Sequence, residues 1–268
     1  MILYQLFPGG KRYALTFSYD DGRTYDRQLV DILNRHGLKG TFHLNSAKFG
    51  LNDRYVTADE IKSLYAGHEI SCHTANHYMP VQLPAPALFE ECIEDRRTLE
   101  ALAGYPVTGM SYPFGNYDDS VITTMQTAGI VYSRTTQAQH SFKIPTNFMT
   151  WHPTCHHRDC MADGEKFLNL IKSNKSYNGL YLFYVWGHSY EFYDNNNWDL
   201  MERFAEMMGG NEQIWYATNM EIYQYLTALK QLVVSANGKQ LYNPTATTLW
   251  VTANGKPVSI GAGETVNL

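Results

Sequence analysis

Apolar runs alternate with helical patterns along most of the chain, and this alternation limits the possible folds more than any other feature of the sequence. The strand-like runs include Tyr13–Tyr19, Gly40–Leu44, Glu69–Cys72, Val107–Tyr112, Ile130–Arg134, Met149–His152 and Leu180–Trp186. The helical patterns between them include Tyr25–His36, Pro86–Leu102 and Gly164–Asn174. This order predicts an α/β fold whose parallel sheet is closed or nearly closed into a (β/α) barrel, with an open doubly wound sheet as the alternative.

The sequence changes character after Gln231. Short strand-like pieces follow, and Asn237-Gly238 and Asn254-Gly255 are typical hairpin turns. The stretches VVSANGK and WVTANGK resemble each other, which indicates a small internal repeat. We therefore predict a barrel domain over residues 1–230 and a small C-terminal β appendage over residues 231–268. The appendage either covers the body of the protein or binds sugars or a partner, and the sequence leaves this choice open.

Composition and charge exclude several classes of protein. With 18% charged and 44% hydrophobic residues, the chain of 268 residues is globular and not disordered. A net charge of −5 without a basic block argues against nucleic acid or an anionic membrane as partner. No apolar run approaches the roughly 18 residues of a membrane span, and the first residues lack the pattern of a signal peptide. We therefore expect a cytoplasmic protein, of undetermined oligomeric state. Its four cysteines are too few for a disulfide framework.

Polar side chains follow the predicted strands at the points where these strands end. They are Asp20 and Asp21 after the first strand, His73 and His77 after the third, Tyr112 to Gly115 after the fourth, Trp151, His152, His156 and His157 around the sixth, and His188 after the apolar run that ends at Trp186. The C-terminal ends of the strands build the active site of a (β/α) barrel. We therefore expect these residues to converge on one face of the sheet.

An aspartate and two histidines four residues apart are candidate metal ligands. Taken separately, the Asp-Asp-Gly stretch is typical of a turn, and the pair His73 and His77 is often structural. Taken together, Asp and two His offer ligands that zinc accepts and leave a position open for water. His188 is a candidate general acid that Glu191 could orient. No G-x-S-x-G nucleophile motif is present, so metal-activated water is the better nucleophile.

The stretch Cys155-His156-His157-Arg158-Asp159-Cys160 contains many potential metal ligands. A second zinc site is one interpretation. No second cysteine pair follows at finger-like spacing, so we favour a loop that lends a polar side chain to the rim of the pocket.

These residues resemble the motifs of the polysaccharide deacetylases of carbohydrate esterase family 4, over roughly residues 11–230. The family's T-F-D-D-G is similar to Thr16 to Gly22, with an insertion before the acid pair. Its H-[ST]-x-x-H is matched in full by His73 to His77, and its apolar strand ending in His resembles Val185 to His188. Its R-x-P-x-G aligns with Ser111-Tyr112-Pro113-Phe114-Gly115, and its fourth motif, expected near Trp151–His157, is not recognisable.

The resemblance implies a distorted (β/α) barrel and a role for each matched residue. Asp21, His73 and His77 would hold a divalent metal, commonly zinc and sometimes cobalt or nickel. Asp20 would be the general base and His188 the general acid. The backbone N–H of Phe114 would help to bind the oxyanion, in a substrate pocket formed with Tyr112, Pro113 and Trp186. The substrate would be an acetylated carbohydrate.

The departures from the family pattern concern the surroundings of the base and the acetyl pocket. In the family the third-motif arginine positions the base, and here Ser111 takes its place. Arg134, His156 or His157 are candidates to replace it, and Arg134, His156 and Glu191 form the expected second layer of the site. Trp186 and Gly187 replace small aliphatic residues that line the acetyl pocket.

Three functions remain open from the sequence. The first is a metal-dependent hydrolase that removes an acetyl group from an N-acetylated or O-acetylated sugar, oligosaccharide or polysaccharide. The second is a non-sugar amide hydrolase of the same fold, similar to allantoinase. The third is a carbohydrate-binding protein with a vestigial site, which the complete set of candidate catalytic residues disfavours.

Overall fold

The computed structural model describes residues 3–173 and 179–268. The strands are β1 (Leu3–Leu6), β2 (Tyr13–Asp20), β3 (Gly40–Leu44), β4 (Glu69–Cys72), β5 (Gly109–Ser111), β6 (Tyr132–Arg134), β7 (Cys155–His156), β8 (Tyr181–Gly187), β9 (Ile214–Tyr216), β10 (Val233–Val234), β11 (Gln240–Tyr242), β12 (Leu249–Ala253), β13 (Lys256–Ile260) and β14 (Thr265–Asn267). The α-helices are α1 (Asp26–Arg35), α2 (Ile61–Leu64), α3 (Ala85–Ala103), α4 (Asp119–Thr127), α5 (Cys160–Ser173), α6 (Tyr190–Asp194), α7 (Trp198–Met208) and α8 (Asn219–Leu229). The predicted helix Gly164–Asn174 thus begins earlier, and Asn174 lies outside the described residues.

The main sheet is parallel and has the strand order β6-β5-β4-β3-β2-β8-β7, with β9 paired to the start of β2. Every residue of β2 is buried, as expected of a strand covered on both faces. The gap between β6 and β7 is partly filled, because Trp151 forms a parallel bridge with Arg134 of β6. The predicted distorted (β/α) barrel is therefore confirmed, and the open doubly wound alternative is wrong.

The predicted strand Met149–His152 is wrong. Residues Phe148–Thr150 form a 3₁₀ turn capped by Asn147, whose side chain accepts from the N–H of Met149, and the strand begins later, at Cys155. Pro153 has no N–H for a ladder of hydrogen bonds, which explains why pairing at Trp151 is limited to a single bridge. Trp151 is fully buried against Tyr132 and Tyr184. The apolar pattern here therefore marks buried side chains and not a strand.

The C-terminal strands form two small antiparallel sheets of order β1-β12-β13 and β10-β11-β14. Strand β1 was not predicted, and it pairs with β12 over the register Leu3↔Ala253 to Leu6↔Trp250. The N-terminal residues thus join the sheet of the tail, although the sequence placed them with the barrel. The division of the chain at residue 230 stays a prediction.

Helix α3 is the longest helix in the described parts of the chain, at 19 residues. No helix there is long and apolar enough to cross a membrane.

Candidate active site

Asp21, His73 and His77 meet at the C-terminal edge of the sheet. Asp21 directly follows β2 and His73 directly follows β4. Nε2 of His73 lies 3.7 Å from Oδ1 of Asp21, and Nε2 of His77 lies 3.5 Å from the same oxygen. One ligand atom from each residue lies within 4.8 Å of the others. The three predicted metal ligands are thus brought together.

The donor set suits a divalent metal. Oδ1 of Asp21 is buried and has no hydrogen-bond partner, so it is free to be a ligand. Nδ1 of His73 lies 2.8 Å from the carbonyl oxygen of Ser111, which places its proton on Nδ1 and leaves the lone pair of Nε2 facing Asp21. Burial lowers the pKa of both histidines below the ordinary value, so both are neutral, as a metal ligand must be.

The loop that carries His73 and His77 has a strained backbone, and side chains from other parts of the chain hydrogen-bond to it. Thr74 and His77 have positive φ values of 60° and 61°, which are unfavourable for residues with a Cβ. The side chain of Asn45 donates to the carbonyl oxygens of His73 and Thr74 at 2.7 and 2.8 Å. Asp95, whose pKa burial raises to about 7, accepts from the N–H of His73 at 3.0 Å. These contacts fix the direction in which the imidazoles point.

Asp20 lies beside the three predicted metal ligands and is held by two donors. Arg134 donates to Oδ2 of Asp20, and Oγ of Ser111 donates to Oδ1 at 3.1 Å. Burial would raise the pKa of Asp20, but the charges of Arg134, His43 and His188 outweigh it and lower that pKa. Oδ2 of Asp20 is also 3.9 Å from Nε2 of His73. Asp20 is therefore an anion placed next to the three predicted metal ligands.

His188 faces this site and is backed by a carboxylate. Nδ1 of His188 lies 3.5 Å from Oε2 of Glu191, and the same oxygen accepts from the N–H of His188 and from Nε2 of His156. Burial lowers the pKa of His188, but Glu191, Asp20 and Asp21 outweigh it and raise that pKa above the ordinary value. These carboxylates therefore favour the protonated form of His188, which is able to give up a proton.

A cleft of about 400 Å³ joins these residues. The predicted Tyr112, Phe114 and Trp186 line it, and so do Thr136 and Tyr190, which the sequence analysis did not select. The ring of Trp186 lies 4.5 Å from the guanidinium of Arg134, so it also covers the partner of Asp20. Pro113 is buried at the start of the turn that carries Phe114.

The cleft is not lined by Trp151 or His152, nor by Cys155 or Cys160. His152 contacts Oγ1 of Thr135 at 2.6 Å, and Trp151 packs inside the barrel. Cys155 and Cys160 are buried free thiols. His156 and His157 instead turn towards Glu191.

A larger cavity of about 600 Å³ lies at the opposite, N-terminal ends of the strands, beside Glu69. Glu69 there accepts hydrogen bonds from Thr41, Tyr132 and the N–H of Met220. Residues at this end of a barrel serve stability, and the satisfied carboxylate agrees with that role.

The sequence analysis missed Asn45, Tyr190 and Asp95, of which the first two had a signal in the sequence. Asn45 directly follows β3, where polar residues at strand ends were already suspect. Tyr190 lies two residues after His188. Asp95 is a charged residue within a long helix, and no local pattern distinguishes it from its neighbours.

Comparisons with known proteins agree with this fold. Residues 8–133 match the family model of polysaccharide deacetylase. A chitin deacetylase of Arthroderma benhamiae is 36% identical over 118 residues, which cover 42% of this chain and 30% of that protein. A chitin deacetylase of Pestalotiopsis sp is 30% identical over 114 residues, which cover 42% of this chain and 37% of that protein. The matched part is thus well under half of these relatives' length.

Two solved structures share the fold over most of the chain. A protein from Mycobacterium smegmatis assigned to the polysaccharide deacetylases covers 85% of this chain and 94% of its own, with a TM-score of 0.62 and 15% identity. The Puue allantoinase covers 81% of this chain and 91% of its own, with a TM-score of 0.62 and 16% identity. The motifs, the fold and these matches agree: through residues 8–133 the chain is related to the polysaccharide deacetylases.

Proposed function

We propose that this protein is a metal-dependent hydrolase that removes an acetyl group from an N-acetylated or O-acetylated sugar, oligosaccharide or polysaccharide. The observation that carries the proposal is the convergence of Asp20, Asp21, His73, His77 and His188 on one cleft. The chitin deacetylases among its relatives support the same chemistry.

Asp21, His73 and His77 would hold the metal, with zinc as the first expectation and cobalt or nickel as alternatives. A divalent metal here would supply Lewis acidity and would lower the pKa of water from 15.7 towards about 7. The three residues leave one side open to the cleft, which is the arrangement of catalytic rather than structural sites.

Asp20 acts as the general base. Its carboxylate is next to the metal ligands and is held in place by Arg134 and Ser111, so it can accept a proton from the attacking water without moving. Because these neighbours keep its pKa low, Asp20 is already ionised at neutral pH.

His188 acts as the general acid and protonates the departing amine or alkoxide. General acid–base catalysis of this kind contributes typically 10²–10⁴-fold to the rate. Glu191 favours the protonated imidazole and accepts a hydrogen bond from the backbone N–H of His188. The backbone N–H of Phe114 helps to hold the oxyanion, a contact whose loss costs about 3–4 kcal/mol in comparable sites. Phe114 has a positive φ of 59°, a conformation that the flanking turn must impose.

A non-sugar amide hydrolase is the second candidate, because the allantoinase fold matches this chain with the same TM-score as the Mycobacterium smegmatis protein. The two candidates use the same residues and differ in the substrate.

The deciding experiment measures acetate release from acetylated sugars of increasing length, with N-acetyl and O-acetyl members, together with formation of the ring-opened ureido acid from allantoin. Each reaction is run with metal, after chelation, and after metal is restored. We expect acetate release that chelation abolishes and metal restores. Full activity after chelation, or turnover of allantoin alone, would contradict the proposal.

A further inference from the structure

Outside the triad of Asp21, His73 and His77, four side chains converge beside the cleft: His156, His157, His188 and Glu191. Nε2 of His156 lies 3.0 Å from Oε2 of Glu191, and Nε2 of His157 lies 3.4 Å from it. Nδ1 of His188 lies 3.5 Å from the same oxygen. Three imidazole nitrogens thus surround one carboxylate oxygen. We call these four residues the histidine–glutamate cluster.

The spacing of the histidine–glutamate cluster matches that of ligands around one metal ion. Zinc–nitrogen and zinc–oxygen bonds of about 2.0–2.1 Å at tetrahedral angles put the two ligand atoms roughly 3.3 Å apart. The cluster has nitrogen–oxygen separations of 3.0–3.5 Å, and the triad has 3.5 and 3.7 Å. Ligand atoms of His156, His188 and Glu191 also lie within 4.8 Å of one another. The cluster is therefore at least as compact as the triad.

Hydrogen bonding alone does not use all of these nitrogens. A carboxylate oxygen accepts about two hydrogen bonds, and Oε2 of Glu191 already accepts from Nε2 of His156 and from the N–H of His188. Nδ1 of His188 is buried and has no hydrogen-bond partner. His157 is also buried, and its Nδ1 has no hydrogen-bond partner either. The cluster therefore places more nitrogen atoms around Oε2 of Glu191 than this one oxygen can accept hydrogen bonds from.

We propose that the histidine–glutamate cluster is a second, weaker site for a divalent metal of the zinc, cobalt and nickel class, bound by Nδ1 of His188, Nε2 of His156 and the carboxylate of Glu191. Nε2 of His157 is close enough to Glu191 to be the fourth ligand. The site is weaker than the triad for a chemical reason. Nδ1 of His156 accepts from the N–H of Arg158 at 3.3 Å, so its proton is on Nε2 and must leave when a metal binds.

Occupation of this site would inhibit the enzyme, and only this consequence rests on the proposed function. A metal on Nδ1 of His188 prevents protonation of that nitrogen, so the ring is no longer an imidazolium that gives up a proton readily. Metal in excess over the first equivalent should therefore suppress acetate release, while one equivalent supports it.

The test counts metal ions by elemental analysis after equilibrium dialysis of untagged, metal-stripped protein against zinc, and repeats the titration with cobalt, whose visible absorption reports the ligands. We expect two equivalents for the wild type, one for His77→Ala, one for His156→Gln and none for the double variant. Glu191→Gln should also bind one. As a control, His140→Gln removes a half-exposed histidine that pairs with Asp163, and it should keep two equivalents. Circular dichroism verifies that each variant is folded.

A wild type that saturates at one equivalent, or a folded His156→Gln variant that keeps two, would overturn the second site. Activity assays separate this result from the fate of the proposed function. Two bound equivalents without turnover of any substrate would support the second metal site and contradict the proposed deacetylase activity. If the protein binds a single equivalent, is active and is not inhibited by further zinc, the proposed deacetylase activity is supported and the second metal site is contradicted.

Discussion

Arg134 at the end of β6 donates a hydrogen bond to Asp20 at the end of β2. In the motif that this chain resembles, the arginine that positions the base stands where this chain has Ser111. Strands β5 and β6 pair in parallel, and Ser111 of β5 is in register with Arg134 of β6. The guanidinium thus comes from the residue of the neighbouring strand that pairs with Ser111. Ser111 donates to the other oxygen of Asp20 at 3.1 Å, so both oxygens have a partner.

Arg134→Gln should lower kcat about 10–100-fold with little change in KM, since loss of a partner that orients a functional group has this effect in metal sites. Removing one member of a buried ion pair should also destabilise the fold by about 3–5 kcal/mol. Steady-state kinetics and urea unfolding measure the two effects, and bound metal should stay at wild-type level. Arg134→Lys, which keeps the charge, should recover part of kcat. Arg203→Gln, which breaks an exposed pair with Asp199, serves as control. Unchanged kcat in Arg134→Gln would show that Arg134 does not position Asp20.

Asp20→Asn should keep the metal and lose turnover, because the amide preserves the shape of the side chain but cannot take a proton. A decrease in kcat of about 10²–10⁴-fold is expected for a general base. Metal content is measured beside kcat, and His73→Ala is the matched comparison that should lose metal as well as activity. Asp20→Asn with substantial activity would reassign the base.

Asn45→Ala should weaken metal binding about 10–100-fold, although Asn45 is not a ligand. Its amide holds the carbonyl oxygens of His73 and Thr74, on a loop where Thr74 has a φ of 60°. Without these donors the loop can relax and turn the imidazoles away. Competition with a chromophoric chelator measures the affinity. Asn34→Ala, which removes a contact with His68 on another part of the barrel, should leave the affinity unchanged. Equal affinities in the two variants would mean that the loop holds its own shape.

Glu191→Gln should shift the alkaline limb of the pH–rate profile to lower pH. Glu191 raises the pKa of His188, and the acid works only while His188 is protonated. Activity is therefore lost as pH rises through that pKa, and removing the carboxylate moves this loss downwards. The profile of kcat against pH from 5 to 9 measures the shift. A wild-type profile without an alkaline limb would exclude His188 as the acid.

The sequence predicted the centre of this site better than its surroundings. Asp20, Asp21, His73, His77 and His188 each follow an apolar run, so their position at strand ends could be read from periodicity. Their supporting groups lie far away in sequence: Arg134, which the sequence named only as one of three candidates, is 114 residues from Asp20, and Asp95, which it did not name, is 22 residues from His73. Such contacts depend on how strands and helices pack, which a local pattern does not encode.

The region around Trp151 shows why the boundary of a strand was misplaced. Trp151 is apolar and buried like a strand residue, but Pro153 interrupts the ladder, and β7 starts two residues beyond the proline. Gly187 is a residue whose identity is set by a single close contact in the folded protein. A Cβ at Gly187 would lie 2.1 Å from Nδ1 of His157, so a glycine is needed there. Only the structure reveals that neighbour.

Asp26→Asn should make the stability of the protein less dependent on pH. Asp26 is buried and accepts from Oγ of Ser189 at 2.5 Å and from the hydroxyl of Tyr65 at 2.7 Å. Burial raises its pKa from 3.8 to about 7 in spite of these donors. The folded protein therefore binds this proton more tightly than the unfolded chain, and the contribution of Asp26 to stability is lost as pH rises from about 4 to about 7.

Between pH 5 and 8 this group alone should lower the free energy of unfolding of the wild type by about 2–3 kcal/mol, at 1.36 kcal/mol for each unit of pKa difference. Asn cannot ionise, and both hydroxyl partners can donate or accept, so the variant should lack this slope. Urea unfolding at intervals between pH 5 and 8 gives the difference between variant and wild type at each pH. Asp31→Asn, on the exposed face of the same helix, is the control and should follow the wild type. A constant difference between Asp26→Asn and the wild type across this range would show that Asp26 is ionised throughout. In that case, the carboxylate that ties α1 to Ser189, beside His188, would be a permanent buried charge.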